Sequence, residues 1–272
     1  MIARAELEKR KQRMEEECAK QNQITTELNA WEFVINLQHN LTWCPVFKAA
    51  SSSMMNIFNR LSGYSQRYLE VSGKTPIALL RRSYARPTVQ KLIKALNKTV
   101  SFIIVRDPFE RLISAFRDKM RPKNKYYSDI QREIIQKHRN DKNDVGESVR
   151  FPEFVDYLID CDRNNVSFNE HWVPYSKFCT PCAAHFDLIL KVETLEGDQE
   201  YLLKEMNLDV KNPPKVNISP GDRRRTDYLI QYYFRQLSEG QLNDLYKIYR
   251  QDFKLFNYNA EIYYNLLDKY KK

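Results

Sequence analysis

The stretch SFIIVRDPFERLISAF, Ser101 to Phe116, constrains the fold more than any other part of the chain. Ser101–Val105, dominated by β-branched and aromatic side chains, reads as a buried strand. Arg106 alone separates it from Asp107, a strong helix N-cap, and Pro108, whose fixed φ suits the first helical position. Phe109, Leu112, Ile113, Phe116 and Met120 then recur at helical spacing. A strand passing straight into a helix opens a β–α unit, and the pattern repeats. Trp43–Phe47 reads as a short apolar strand, weakened by Pro45, and Met54, Ile57, Phe58 and Leu61 follow at helical spacing up to Gly63. Asp187–Glu193 is a third strand. Ser238 and Gln241 form a capping box ahead of a helix with Leu242, Leu245, Tyr246, Tyr249 and Phe253 on its core face. Strands separated by helices predict an α/β fold, a parallel sheet flanked by helices.

Both strand-to-helix turns carry groups suited to anions. The first, CPVFKAASSS (Cys44–Ser53), places Lys48, Ala49, Ala50, Ser51, Ser52 and Ser53 at a helix N-terminus, where amides and the helix dipole favour negative charge. The plainer alternative is that the serines are N-caps and nothing more. The Walker A glycines are missing, and SGKT at Ser72–Thr75 lacks both the earlier glycine and a preceding strand, which argues against a nucleotide kinase. At the second turn, Arg106 ends a buried strand and Ser114 lies off the apolar stripe of the following helix, an arrangement suited to a phosphate. A surface Arg106–Asp107 feature with an incidental helical serine is the alternative.

The 272 residues carry a net charge of +9, which favours an anionic partner: nucleic acid, an acidic polysaccharide or a phosphorylated cofactor. No nucleic-acid recognition motif accompanies the charge. No run is long and apolar enough to span a bilayer, and the N-terminus lacks a signal-type apolar stretch, so the chain is expected to be soluble or to lack its anchor. Residues 1–40 are expected to be a charged helical stem, solvated or oligomerising and outside the core, followed by one catalytic domain over 41–272. Five cysteines are too few for a dense disulfide framework, and sequons stand at Asn40, Asn97, Asn165 and Asn217.

Taken together, CPVFKAASSS and IIVRDPFERLISAF resemble the two cofactor-binding signatures of Golgi carbohydrate sulfotransferases, in the branch with the chondroitin and dermatan 4-O- and HNK-1-type enzymes. The likeness continues through NEHWVPYSKFCTPC, FDLILKVETLEGD and LYKIYRQDFKLFNY, covering about residues 41–258. It implies a P-loop-like sulfotransferase fold that binds 3′-phosphoadenosine 5′-phosphosulfate (PAPS) and releases adenosine 3′,5′-bisphosphate (PAP). It implies that Lys48, Ser51, Ser52 and Ser53 hold the 5′-phosphosulfate, and that Arg106 and Ser114 hold the 3′-phosphate. It also implies a Golgi lumenal enzyme with a membrane anchor, which this sequence does not contain, acting on an acidic glycan without a metal.

Sulfonate transfer requires a general base for the acceptor hydroxyl. His171 is the first candidate, Glu170 its neighbour and Glu193 a third, while a structural histidine packed on Trp172 is the alternative. Cys179, Cys182 and His185 form a tight C-x-x-C-x-x-H cluster. A disulfide involving Cys179, Cys182 or Cys161 is expected there in preference to zinc. Basic segments at 81–82, 119–125 and 223–225 could line a glycan groove or be solvated faces. A non-catalytic glycan- or heparin-binding protein with the same fold is the competing class; it predicts PAP binding without transfer.

Overall fold

A computed structural model describes residues 2–20, 27–120, 125–139, 146–210 and 220–268, without the side chains of 2–3, 220–225 and 268. The elements in chain order are α1 (Ile2–Ala19), β1 (Val34–Asn36), β2 (Leu41–Cys44), α2 (Ser51–Leu61), α3 (Gln66–Val71), α4 (Pro76–Ser83), α5 (Val89–Leu96) and β3 (Val100–Val105). Next come α6 (Pro108–Lys119), α7 (Ser128–His138), α8 (Phe151–Arg163), α9 (Tyr175–Phe178), α10 (Pro181–Ala184), β4 (Leu188–Lys191) and α11 (Leu195–Glu205). The last are α12 (Pro220–Phe234), α13 (Glu239–Leu255) and α14 (Glu261–Asp268). They fall into two compact units. One comprises described residues within Met1–Arg106, Tyr175–Asn217 and Lys254–Asn257; the other takes those within Asp107–Pro174, Ile218–Phe253 and Tyr258–Lys272. The stretch 41–272, expected as one domain, contributes to both.

The first unit holds a sheet of strand order β1-β2-β3-β4. β2, β3 and β4 are mutually parallel, with Cys44 level with Ile103 and Ile103 level with Ile189, while β1 pairs antiparallel to β2. The mixed α/β class is as expected. β1 is an addition, because three residues are too short to leave a periodic signal. β2 is displaced from the expected Trp43–Phe47: the ladder begins at Leu41 and stops at Cys44, before the proline that cannot donate to it. Trp43 stacks on Phe102 at 6.0 Å and tilts against Phe58 at 5.2 Å, with Met54, Ile57, Leu80 and Leu190 buried in the same cluster.

α1 corrects the expectation of a solvated stem. Leu7 and Met14 are buried, and between them Arg10 donates to Asp198 Oδ2 at 2.6 Å and to the Ile189 carbonyl at 3.2 Å. Asp198 also accepts from the Lys191 amide at 2.9 Å and the Thr194 hydroxyl at 2.8 Å. Cys18 is joined to Cys182. The inward stripe at 7, 10 and 14 has an arginine at its centre, so hydrophobic periodicity could not reveal it.

The second unit is helical. Phe109 sits among Phe234, Phe253 and Tyr263 at 5.1, 4.8 and 4.9 Å between ring centroids. Phe154, Leu242, Leu245 and Tyr249 are buried in the same core. Asp107 caps α6 as expected: Oδ1 accepts the Phe109 and Glu110 amides at 2.9 and 3.1 Å, and also the Tyr263 hydroxyl at 2.6 Å. Ser238 and Gln241 make their reciprocal capping bonds at the start of α13.

Candidate functional site

Because β2, β3 and β4 are parallel and in register, the segments that follow Cys44, Val105 and Lys191 leave the same edge of the sheet. That edge therefore gathers the Lys48 loop, Arg106 and Glu193, and the C-terminal edge of parallel strands is where α/β folds bind ligands. β2 and β3 are neighbours, so the two anion-suited turns start about 5 Å apart at the backbone.

The Lys48 loop reaches α2 through two left-handed residues, Lys48 at φ 67° and Ala50 at φ 56°. For residues with a Cβ each such conformation costs about 1–2 kcal/mol. Strain of this kind persists where a loop must present a particular backbone face, and it explains how the turn is made without the glycines of a Walker A loop. The Ala50 carbonyl accepts the Ser53 and Met54 amides at 3.1 and 3.2 Å. The amides of Ser51 and Ser52 thus stand at the open end of α2, ahead of the first intrahelical bonds. Lys48 and Ser53 are half-buried, Ala49 and Ser51 buried, and Ser52 exposed. A cation, a helix N-terminus and a left-handed turn are together an arrangement suited to an anion. SGKT, by contrast, serves only as a helix boundary: Gly73 has φ 65° and Thr75 caps α4.

Arg106 is half-buried just beyond β3. Its amide donates to the Tyr175 hydroxyl at 2.9 Å, and that hydroxyl donates back to the Arg106 carbonyl at 3.0 Å. Cys44, the last residue of β2, is bonded to Cys179, and the Phe178 ring lies edge-on to Phe47, 6.5 Å between centroids. Sequence reasoning assigned Tyr175 no task, and it pointed to a disulfide at Cys179 without identifying Cys44 as the partner.

In the second unit, Ser114 is half-buried on α6. His171 lies on a turn whose carbonyls are tied in succession: Arg111 of α6 donates to His171 O and Val173 O, and the Tyr249 hydroxyl donates to Trp172 O. The His171 amide donates to Asn169 Oδ1 at 3.0 Å, and His171 Nδ1 is 2.9 Å from the same oxygen. A backbone amide can only donate, so this atom is the amide oxygen. Nδ1 therefore carries the imidazole proton, and the lone pair of the neutral ring lies on Nε2. The Tyr127 hydroxyl is 3.1 Å from Nδ1; burial, then the charge of Glu170, pushes its pKa up to about 12. Glu170 is exposed, with Oε1 at 3.9 Å from Nδ1. Tyr127 and Arg111 escaped sequence reasoning because their partners are remote in the chain, and Asn169, only two residues from His171, because a turn asparagine carries no signal of what it accepts from.

The C-x-x-C-x-x-H cluster is not a thiolate site, since Cys179 and Cys182 are both in disulfides, with partners the sequence did not identify. Cys161, expected as a possible third participant, is a buried free thiol. Of the basic segments, Arg81 is committed to the Phe33 and Glu32 carbonyls at 3.0 and 2.7 Å while Arg82 is exposed. Lys119 lies over the Tyr127 ring at 5.5 Å. Residues 121–124, the side chains of 223–225 and the sequon at Asn217 lie outside the described residues.

A sequence profile described as the sulfotransferase family matches residues 31–259. Carbohydrate sulfotransferase 11 of Rattus norvegicus is 30% identical over 258 residues, covering 91% of this chain and 73% of that protein. Carbohydrate sulfotransferase 8 of Homo sapiens is 30% identical over 275 aligned positions, covering 94% of this chain and 64% of that protein. Carbohydrate sulfotransferase 10 of Xenopus laevis is 37% identical over 182, covering 63% and 50%. No solved structure matches the chain significantly.

Proposed function

The chain belongs to the sulfotransferase family and is an enzyme, and on that premise we propose that it moves a sulfonate from PAPS to a hydroxyl of an acidic glycan, of chondroitin or dermatan type or a related terminal sugar. The observation that carries the reading is the pairing of two anion-suited turns, the strained Lys48 loop and Arg106, at the ends of two neighbouring parallel strands. A donor with a phosphosulfate at one end and a 3′-phosphate at the other suits that pairing.

PAPS supplies the sulfonate: the acceptor oxygen bonds to sulfur as the bond to the bridging oxygen breaks, and PAP leaves with that electron pair. Lys48 and the amides and hydroxyls of Ser51, Ser52 and Ser53 offset the charge that collects on the departing phosphate. Arg106 holds the 3′-phosphate through charge-assisted bonds. The remaining roles, 3′-phosphate contact by Ser114 and proton acceptance at His171 Nε2 with Glu170 and Glu193 as alternatives, are proposed from the sequence likeness. The Asn169-fixed tautomer suits His171 to its part. Two disulfides and exposed sequon residues at Asn40, Asn97 and Asn165 suit an oxidising, Golgi-type lumen. Among the described residues no helix is long and apolar enough to cross a membrane.

The test is incubation with sulfur-labelled PAPS and a panel of desulfated chondroitin, dermatan and terminal-sugar acceptors. Label entering one acceptor class, with inhibition by added PAP, is the expected result. PAP binding with no transfer to any acceptor would favour a non-catalytic glycan-binding protein instead.

A further inference from the structure

Arg106 lies just outside the β3 ladder, so its backbone needs partners beyond the sheet. Both groups are met by one atom, the Tyr175 hydroxyl, which accepts from the amide and donates to the carbonyl. Tyr175 is fully buried, with its ring edge-on to Phe256 at 5.3 Å. Two bonds to one residue's N–H and C=O fix the orientation of the peptide units on both sides of its Cα. They therefore fix the direction in which the guanidinium leaves the sheet edge. The same short helix, α9, is followed at once by Cys179, whose disulfide holds Cys44 at the end of the neighbouring strand.

We propose that Tyr175 is a positioning residue for the 3′-phosphate: it sets the Arg106 backbone so that the guanidinium is held ready for that group, while the Cys44–Cys179 bond secures the separate Lys48 limb. The proposal rests on the sulfotransferase reading above. It makes the two braces separable, because PAP carries both phosphates and adenosine 5′-phosphate only the one that faces Lys48. Without the hydroxyl, the Arg106 amide and carbonyl lose their shared partner and the turn relaxes. The pre-set direction of the guanidinium goes with it, and the 5′-phosphate contacts stay.

The experiment is calorimetric titration of the full chain with PAP and, separately, with adenosine 5′-phosphate. Wild type should bind PAP more tightly. Tyr175→Phe should lose about tenfold in PAP affinity, the size of one well-placed hydrogen-bonded contact, while adenosine 5′-phosphate affinity stays within about twofold. Cys44→Ala with Cys179→Ala should weaken both nucleotides together and leave their ratio unchanged. Should Tyr175→Phe not fold, hydrogen exchange on the wild type replaces it. The Arg106 amide should gain protection with PAP and little with adenosine 5′-phosphate. A Tyr175→Phe protein with the wild-type ratio of affinities overturns the positioning role alone, and equal protection by the two nucleotides overturns both that role and the Arg106 contact with the 3′-phosphate that it serves. A wild type that binds neither nucleotide contradicts the donor assignment itself.

Discussion

His171 takes its chemical character from Asn169. The Asn169 oxygen receives both the His171 amide and Nδ1–H, which leaves Nε2 as the basic nitrogen. If His171 is the base, His171→Ala should cut turnover by about 10²–10⁴ with PAP affinity near wild type. Asn169→Ala, which frees the tautomer, should cost roughly tenfold, and Asn169→Asp, which keeps an acceptor for Nδ1–H, should recover most of the rate. Steady-state rates with calorimetry in parallel check this. If the His171 variant keeps its turnover while Glu170→Gln or Glu193→Gln loses it with PAP binding intact, the base is that carboxylate. Lys48, Arg106 and His171 can be put forward from sequence because each lies in a local pattern. Tyr175 and Asn169 cannot, since a buried tyrosine and a turn asparagine look the same in sequence whatever they touch.

At the scale of elements, the Arg106-Asp107-Pro108 junction announced both β3 and α6, and the cap formed as the side chains required. The tertiary consequence was hidden. Burial, partly offset by the Tyr263 hydroxyl and the two amides, pushes the Asp107 pKa up from 3.8 to about 7. The folded protein therefore holds the extra proton between roughly those values. Stability from this group is fullest below the window and falls as pH rises through it. Asp107→Asn keeps the oxygen that caps α6 and accepts from Tyr263 but does not titrate. Its stability relative to wild type should improve between about pH 4 and pH 7, as read from urea midpoints at both ends. A difference that is constant with pH, or that moves the other way, contradicts the buried-carboxyl account. α1 shows the opposite kind of misreading: its charged composition suggested solvent, yet Arg10 is the residue that ties it to Asp198.

Across the whole molecule, local signals found the alternation of strand and helix and the anion-suited turns. They could not find links between remote segments. Cys18 reaches Cys182 across 164 residues and Cys44 reaches Cys179 across 135, and no spacing rule selects those partners from five cysteines. Nor could periodicity show that each unit is assembled from several separate stretches of chain. If the loop after β2 carries the charge that develops in sulfonate transfer, replacing Lys48 should remove most of the rate and leave the fold in place. Lys48→Ala, assayed for transfer of labelled sulfonate from PAPS to the accepted glycan alongside its thermal melting curve, should lose about 10²–10³ in turnover. Its melting temperature should stay within a few degrees of wild type, because Lys48 is a half-buried loop residue and not part of the core. Near-wild-type turnover from a protein with an unchanged melting curve would contradict the assignment.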